Sequence, residues 1–271
     1  MLTIIISLLA INLLIIAHEF GHFLLAKFYG VKIDEFSIGF PPRLFKIKKG
    51  EVLYSINAIP FGAFVKLSED LPPTDKRNFL SKPASQKAII FLGGVLMNII
   101  IAFIVFVLMF SFGFPKVWLP TNYSYLISEG ATILKYPLPQ AILQTGHFMY
   151  YVLVQSLIGL KIAFIKIFTH LDVSDLVGPV GLFALTSKGF QYSTTYGFYI
   201  VGLISYALAI FNLLPIPVVD GGQLLFLVIE KLRKKPVARK TEEMITNVVF
   251  ALLILLAILV TIKDVRFFYF H

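Results

Sequence analysis

The chain has 271 residues, 58% of them hydrophobic, and a mean hydropathy of +0.84. That apolarity excludes an ordinary soluble domain and marks an integral membrane protein, so the net charge of +9 reads as basic cytoplasmic loops rather than a nucleic-acid surface. Cysteine is absent, which excludes disulfides and thiolate zinc sites and leaves His, Asp and Glu as the residues able to hold a metal.

The first apolar run covers residues 2–28. It lacks a basic n-region and an Ala-x-Ala cleavage site, so it is expected to stay in place as a first membrane span. Inside it lies His18-Glu19-Phe20-Gly21-His22. Residues four apart share a helix face, so His18 and His22 can aim two imidazoles at one point. That pair at that spacing suits zinc, and Glu19 is a candidate general base for a metal-activated water. HExxH is a common pattern, but ionisable groups inside a span are costly and are kept mostly where they act. Asn12 is a further polar residue of this run, and it lies too far along to share one face with all of them.

Residues 29–87 are polar and basic. The positive-inside rule makes them cytoplasmic, with the first span running inward. Leu44–Ile47 and Val52–Ile56 read as strands flanking a hairpin turn at Lys48-Lys49-Gly50-Glu51. Ile59–Val65, with Phe61, Gly62 and Ala63, is too apolar for an ordinary loop. It either dips into the membrane against protein or a wet cavity, or lies as an amphipathic sheet on the bilayer surface. The second span, residues 88–112, returns outward. Its Gly93, Gly94 and Asn98 are expected to serve close helix packing and an interhelical hydrogen bond.

Residues 113–195 are expected outside, and the 114–144 part is too short for a folded domain. Phe148–Phe168 is long and apolar enough to cross. However, Gln144, His147, Gln155, Lys161, Lys166 and His170 fall within about half a helical wheel, which favours a helix lying on the outer surface. A segment that does not cross also keeps the cluster Lys231, Arg233, Lys234, Lys235, Arg239 and Lys240 cytoplasmic. Asp172, Asp175 and a Gly178-Pro179-Val180-Gly181 turn follow. The third span, residues 196–214, runs inward and ends in Asn212-Leu-Leu-Pro215-Ile-Pro217-Val-Val-Asp220-Gly221-Gly222. Two prolines this close cannot continue a helix, so the chain opens at membrane depth, and its freed carbonyls and Asp220 need a partner. Residues 215–243 form a cytoplasmic active-site loop and basic segment with a short apolar helix at Leu224–Leu232. The fourth span is residues 244–262. The expected architecture is mainly α, a single domain of four transmembrane helices with a membrane-associated β-element and a peripheral amphipathic helix.

Catalytic zinc wants three protein ligands and an open position. His18 lies roughly 22 Å into the first span at 1.5 Å per residue, in its cytoplasmic half. Asp220 follows the broken inner end of the third span, so its depth matches and it is the expected third ligand. His147, His170 and His271 fall on the outer side by the same topology. Zinc would acidify water and polarise a carbonyl, and Glu19 would pass the water's proton to the leaving amine. The chemistry is peptide-bond hydrolysis below the membrane surface. A helical substrate has to unwind first, and a strand edge within Val31–Leu67 could hold it extended. Asn212 either bonds the opened substrate or its oxyanion, or caps the broken helix.

HEFGH, Gly94-Val-Leu-Met-Asn98 and Asn212-x-x-Pro215-x-Pro217-x-x-Asp220-Gly221 together resemble the site-2 proteases, intramembrane zinc metalloproteases of regulated intramembrane proteolysis. Phe36-Ser-Ile-Gly-Phe40, Ile59–Lys66 and Gly178-Pro-Val-Gly181 extend the resemblance over most of the chain. The resemblance is nearest to the bacterial branch acting on anti-sigma factors and signal-peptide remnants. It implies His18, His22 and Asp220 as Zn2+ ligands and Glu19 as catalytic acid/base. It further implies substrate handling by Asn212 and by the β-element at Phe61, Gly62 and Ala63, with Asn98, Pro215, Pro217 and Gly221 in support. The implied partners are single-span membrane proteins or signal peptides and the lipid bilayer, without nucleic acid, in a bacterial cytoplasmic membrane. The PDZ domains of many bacterial members have no room here, and the CBS domain of other relatives is absent. A metal-handling protein or transporter using His18, His22 and Asp220, and an inactive membrane scaffold, are the competing readings. Glu19 speaks against both, since a bare metal site does not need it.

Overall fold

A largely apolar stretch with no proline and a single glycine, Gly21, forms the first helix, α1 (Leu2–Phe28), which carries all of HEFGH. The computed structural model describes residues 2–69, 71–72, 74–115 and 133–269. After α1 come two long strands, β1 (Ile33–Lys49) and β2 (Val52–Leu67), and then α2 (Ala84–Phe112). A short strand pair follows, β3 (Phe114–Pro115) with β4 (Ile133–Leu134). The remainder is helical: α3 (Leu138–His170), α4 (Pro179–Tyr192), α5 (Thr194–Asn212), α6 (Asp220–Arg233) and α7 (Arg239–Tyr269). The chain is a multi-pass membrane protein. Residues 116–132, the middle of the short external segment expected from sequence, lie outside the described residues.

The helix lengths offer one candidate beyond the four expected spans. Five described helices are long and apolar enough to cross a membrane: α1, α2, α3, α5 and residues 239–267 of α7. The added one is α3. Its 33 residues extend about 50 Å at 1.5 Å per residue, longer than an interfacial helix needs and ample for a bilayer. The sequence analysis bounds the apolar segment at Phe148–Phe168, and the helix extends past both ends. The helix starts ten residues earlier, at Leu138, with Pro139 in its first turn, where no backbone donor is needed.

The chain divides into two compact units. One consists of Met1–Leu8, Ile100–Ile210 and Leu253–His271, the other of Leu9–Ile99 and Phe211–Leu252. Four of the five long helices, α1, α2, α5 and α7, contribute residues to both, whereas α3 belongs wholly to the first.

The first unit has an aromatic core. Phe106 and Phe148 meet edge to face with centroids 5.0 Å apart, and Phe110 and Tyr199 pack around them. Between membrane spans such packing acts through van der Waals contact rather than through removal of apolar surface from water. The Gly178–Gly181 motif begins a helix rather than forming an isolated turn. Gly178 is the N-cap of α4, and Pro179 opens its first turn without losing a needed donor. The cap comes from another helix. The backbone N–H groups of Gly178 and Gly181 both donate to Oδ2 of the fully buried Asp264 at 2.9 Å, and Lys263 lies 2.8 Å from Oδ1 of the same carboxylate. A Cβ on Gly181 would sit 2.7 Å from that oxygen, so glycine is what admits it.

The second unit packs α1 and α2 against the β-element. Phe23, Ala26, Val31, Ile33, Phe79 and Ile90 form its buried cluster. The predicted hairpin forms, with Lys49 paired to Val52 and Gly50 at φ +64 in the turn. The pairing is not a simple ladder: Glu35 pairs with both Leu53 and Lys66, and Ser37 with both Ser55 and Phe64. Residues 35–38 are therefore flanked on both sides, and polar groups buried there satisfy one another. Arg43 and Ser55 donate to the Glu35 carboxylate, and Asn57 donates to Ser37.

Candidate metal centre

The candidate site is built from three helices of the second unit and begins with a close backbone approach. Gly21 in α1 faces Gly93 in α2, and a Cβ on Gly93 would sit 2.6 Å from the Gly21 carbonyl oxygen. With no side chains between them, the two backbones touch. Gly94, the next residue, faces the imidazoles instead: a Cβ there would lie 2.5 Å from Nε2 of both His18 and His22. The sequence reading took both glycines as packing residues. Only Gly93 serves packing alone, and Gly94 leaves open the space beside the two Nε2 atoms.

The opposite wall comes from the break after α5. The chain turns through residues 213–219, as Pro215 and Pro217 require, with Ile216 and Val219 closing short turns. Asp220 is then the first residue of α6. A Cβ on Gly221 would meet the Leu213 and Leu214 carbonyls, and one on Gly222 the backbone of Ile216 and Pro217. The two glycines thus let the start of α6 fold tightly onto the broken segment, which fixes where Asp220 emerges. Thr246 of α7 donates to the Pro217 carbonyl at 3.4 Å.

Asp220 straddles the two histidines. Its Oδ2 lies 3.2 Å from His18 Nε2 and its Oδ1 3.4 Å from His22 Nε2, while the two Nε2 atoms are 3.3 Å apart. Ligands bound tetrahedrally to zinc at about 2.0–2.1 Å are separated by roughly 3.3–3.4 Å, so the donor spacing fits that ion. Two further observations agree. Asp220 Oδ2 is buried and accepts no hydrogen bond, and the Nδ1 atoms are engaged elsewhere, His22 with the Ile90 carbonyl at 2.8 Å and His18 with Asn98 at 3.2 Å. The nitrogens that converge are therefore those left over for a cation. Among the described residues, these three form the one group with metal-ligand character.

Glu19 lies beside this group, within electrostatic range of His18, His22 and Asp220, and the backbone of Val65 in β2 hydrogen-bonds its carboxylate. The β-element touches α1 a second time, where the Gly62 N–H donates to Asn12 Oδ1 at 3.2 Å. Asn12 thus holds a strand that the sequence reading did not connect to it. Gly62 has φ +85, Phe61 is exposed and Ala63 is buried, paired with Ile38. Asn212 is the last residue of α5, ahead of the break. His147 and His170 belong to the other unit, and His271 lies outside the described residues. Ile90 is a site neighbour that sequence reasoning missed, and Gly94, named there for packing and in a motif, was not connected to the imidazoles. One contributes a backbone carbonyl and the other an absence of atoms.

The model of Peptidase family M50 matches residues 6–256. Two bacterial relatives align along nearly the whole chain, and each is named "Putative zinc metalloprotease". One, from Clostridium perfringens, is 28% identical over 330 residues, covering 97% of this chain and 98% of its own length. The other, from Clostridium acetobutylicum, is 29% identical over 333 residues, covering 97% of each. A plant relative, the chloroplastic "Membrane metalloprotease ARASP" of Arabidopsis thaliana, is 36% identical over 115 residues, which are 40% of this chain and 26% of that protein. The bacterial alignments run over more positions than this chain has residues, so both relatives carry residues without a counterpart here. Only residues 113–137 separate α2 from α3, fewer than the ~50 of a small domain such as PDZ.

Proposed function

The chain belongs to Peptidase family M50, and from that premise we propose that it is a zinc-dependent endopeptidase that cuts membrane proteins within or next to their transmembrane segments. The observation that carries this reading is the convergence of His18 Nε2, His22 Nε2 and the Asp220 carboxylate at 3.2–3.4 Å separations with Glu19 beside them. Zinc held by these three residues supplies Lewis-acid polarisation of a carbonyl and acidifies water. Glu19 takes the proton from the attacking water and delivers it to the departing amine. Burial among α1, α2 and the start of α6 keeps bulk water from screening these charges.

Single-span proteins or signal-peptide remnants are the proposed substrates, and Phe61, Gly62 and Ala63 of β2 the segment that holds them extended. Support comes from the position of β2, whose Val65 backbone bonds the Glu19 carboxylate. Asn212 is proposed to bond the opened substrate backbone. Most Lys and Arg residues belong to the second unit, which supports a cytoplasmic placement of the site in a bacterial cell membrane.

Incubating the purified protein with a labelled single-span substrate tests the reading. Wild type with zinc is expected to cut it, and Glu19→Gln with its zinc retained is expected not to. Equal cleavage by both, or none by zinc-loaded wild type across a panel of single-span substrates, would refute it. Metal uptake into vesicles without proteolysis, lost in Asp220→Ala, would instead establish the transporter reading.

A further inference from the structure

A neutral imidazole that binds a metal through Nε2 carries its proton on Nδ1, and that N–H needs an acceptor to fix the tautomer and the ring plane. Both acceptor positions here lie on α2. For His22 the acceptor is the Ile90 carbonyl, 2.8 Å from Nδ1. Ile90 is followed four residues later by Gly94, which clears the space at the Nε2 atoms, and after four more by Asn98, whose amide lies 3.2 Å from His18 Nδ1. Three positions spaced by four residues form one stripe along a helix, so a single face of α2 attends to both rings.

We propose that Asn98 is the positioning residue for His18: its amide oxygen accepts the Nδ1 proton and so reserves Nε2 for the metal. This rests on the metal-site reading of His18, His22 and Asp220. The amide group faces the ring by its nitrogen as drawn, but oxygen and nitrogen of an Asn side chain exchange places by a half-turn that changes no heavy-atom position. Only the oxygen-inward orientation matches a ring whose Nε2 lone pair is available. Asn98 is fully buried, so no bulk water competes as an acceptor. A residue serving helix packing alone would not need to meet Nδ1 of this ring, opposite the converging nitrogens.

The test uses the full chain in detergent, with Zn2+ measured by competition against a chromophoric chelator and Co2+ by its visible absorption. Asn98→Leu keeps the branched shape and removes the acceptor, while Asn98→Asp keeps an acceptor only. Asn98→Leu is expected to weaken zinc binding by roughly 10–100-fold and to diminish the tetrahedral cobalt band, while Asn98→Asp stays within about threefold of wild type. A packing role predicts the reverse order, since Leu suits an apolar interface and a buried carboxylate does not. Asn98→Ala, which adds no bulk to the helix, gives the same reading if the Leu variant misfolds. Wild-type affinity in both acceptor-free variants, or equal zinc loss in Asp and Leu, overturns the inference alone. Wild type that takes up neither ion overturns the metal reading and this inference with it.

Discussion

Replacing Gly94 with alanine tests the site with a single methyl group. The added Cβ would lie 2.5 Å from both Nε2 atoms, where ordinary contact begins at 3.4 Å. Each imidazole must therefore retreat by about 0.9 Å, or α2 must move off α1. Metal sites tolerate errors of about 0.2 Å in ligand position, so the displacement exceeds the tolerance several-fold. Neither ring is free to yield, because His22 is bonded to Ile90 and His18 to Asn98. Movement of α2 is opposed by the Gly21–Gly93 contact. Zinc affinity is expected to fall at least ~100-fold, or about 2.8 kcal/mol at 1.4 kcal/mol per decade. The zinc-free fold should change far less, since the helix-propensity gain of up to ~1 kcal/mol offsets part of an overpacking cost of about 1–3 kcal/mol. Chelator competition reads the first quantity and thermal unfolding of the zinc-free protein the second. Gly159→Ala, in α3 with nothing within 4 Å of its Cβ, is the control and should leave zinc binding unchanged. Zinc binding by Gly94→Ala at wild-type affinity would refute the assignment of that space to the ligands.

Glu19→Gln should lower cleavage by about 10²–10⁴-fold while zinc content, measured by atomic absorption, stays at one ion per chain. Gly222→Ala drives a Cβ into the Ile216 backbone and displaces Asp220. It should weaken zinc binding and raise hydrogen exchange over residues 213–222, and unchanged exchange there would argue against the tight fold of that turn. Asp264→Ala removes the acceptor of the Gly178 and Gly181 amides. It should cost about 0.5–2 kcal/mol in thermal unfolding and expose those two amides to exchange, with zinc affinity unaltered.

What the sequence revealed was carried by atoms with chemistry of their own. The two histidines four apart, the carboxylate between them and the Pro215–Pro217 break each announce a constraint, and the lysine-rich hairpin turn announces another. Asp220 was reachable by matching depths along oppositely directed spans. The remaining features depend on partners distant in sequence. Gly94 matters through the side chain it lacks, Ile90 through a carbonyl that every residue has, and Asp264 through amides more than eighty positions away. Asn12 illustrates the same limit: its polarity was plain, but its partner Gly62 is fifty residues on. The fifth long helix was visible as a segment able to cross and was placed on the outer surface instead. A periodic polar stripe on α3 suits an interface, yet neither that stripe nor its length determines whether it crosses.

The three candidate ligands are unequally spaced along the chain, and synthesis has a direction. His18 and His22 emerge within the first helix, whereas Asp220 comes only after about four-fifths of the sequence. At translation speeds of roughly 5–20 residues per second, some 10–40 s separate the pair from its third member. Throughout that interval the nascent protein owns two of three metal ligands and, in the proposed reading, no working blade. A hydrolase inserted among other newly made membrane helices is thereby kept harmless until the last fifth of its own chain is reached.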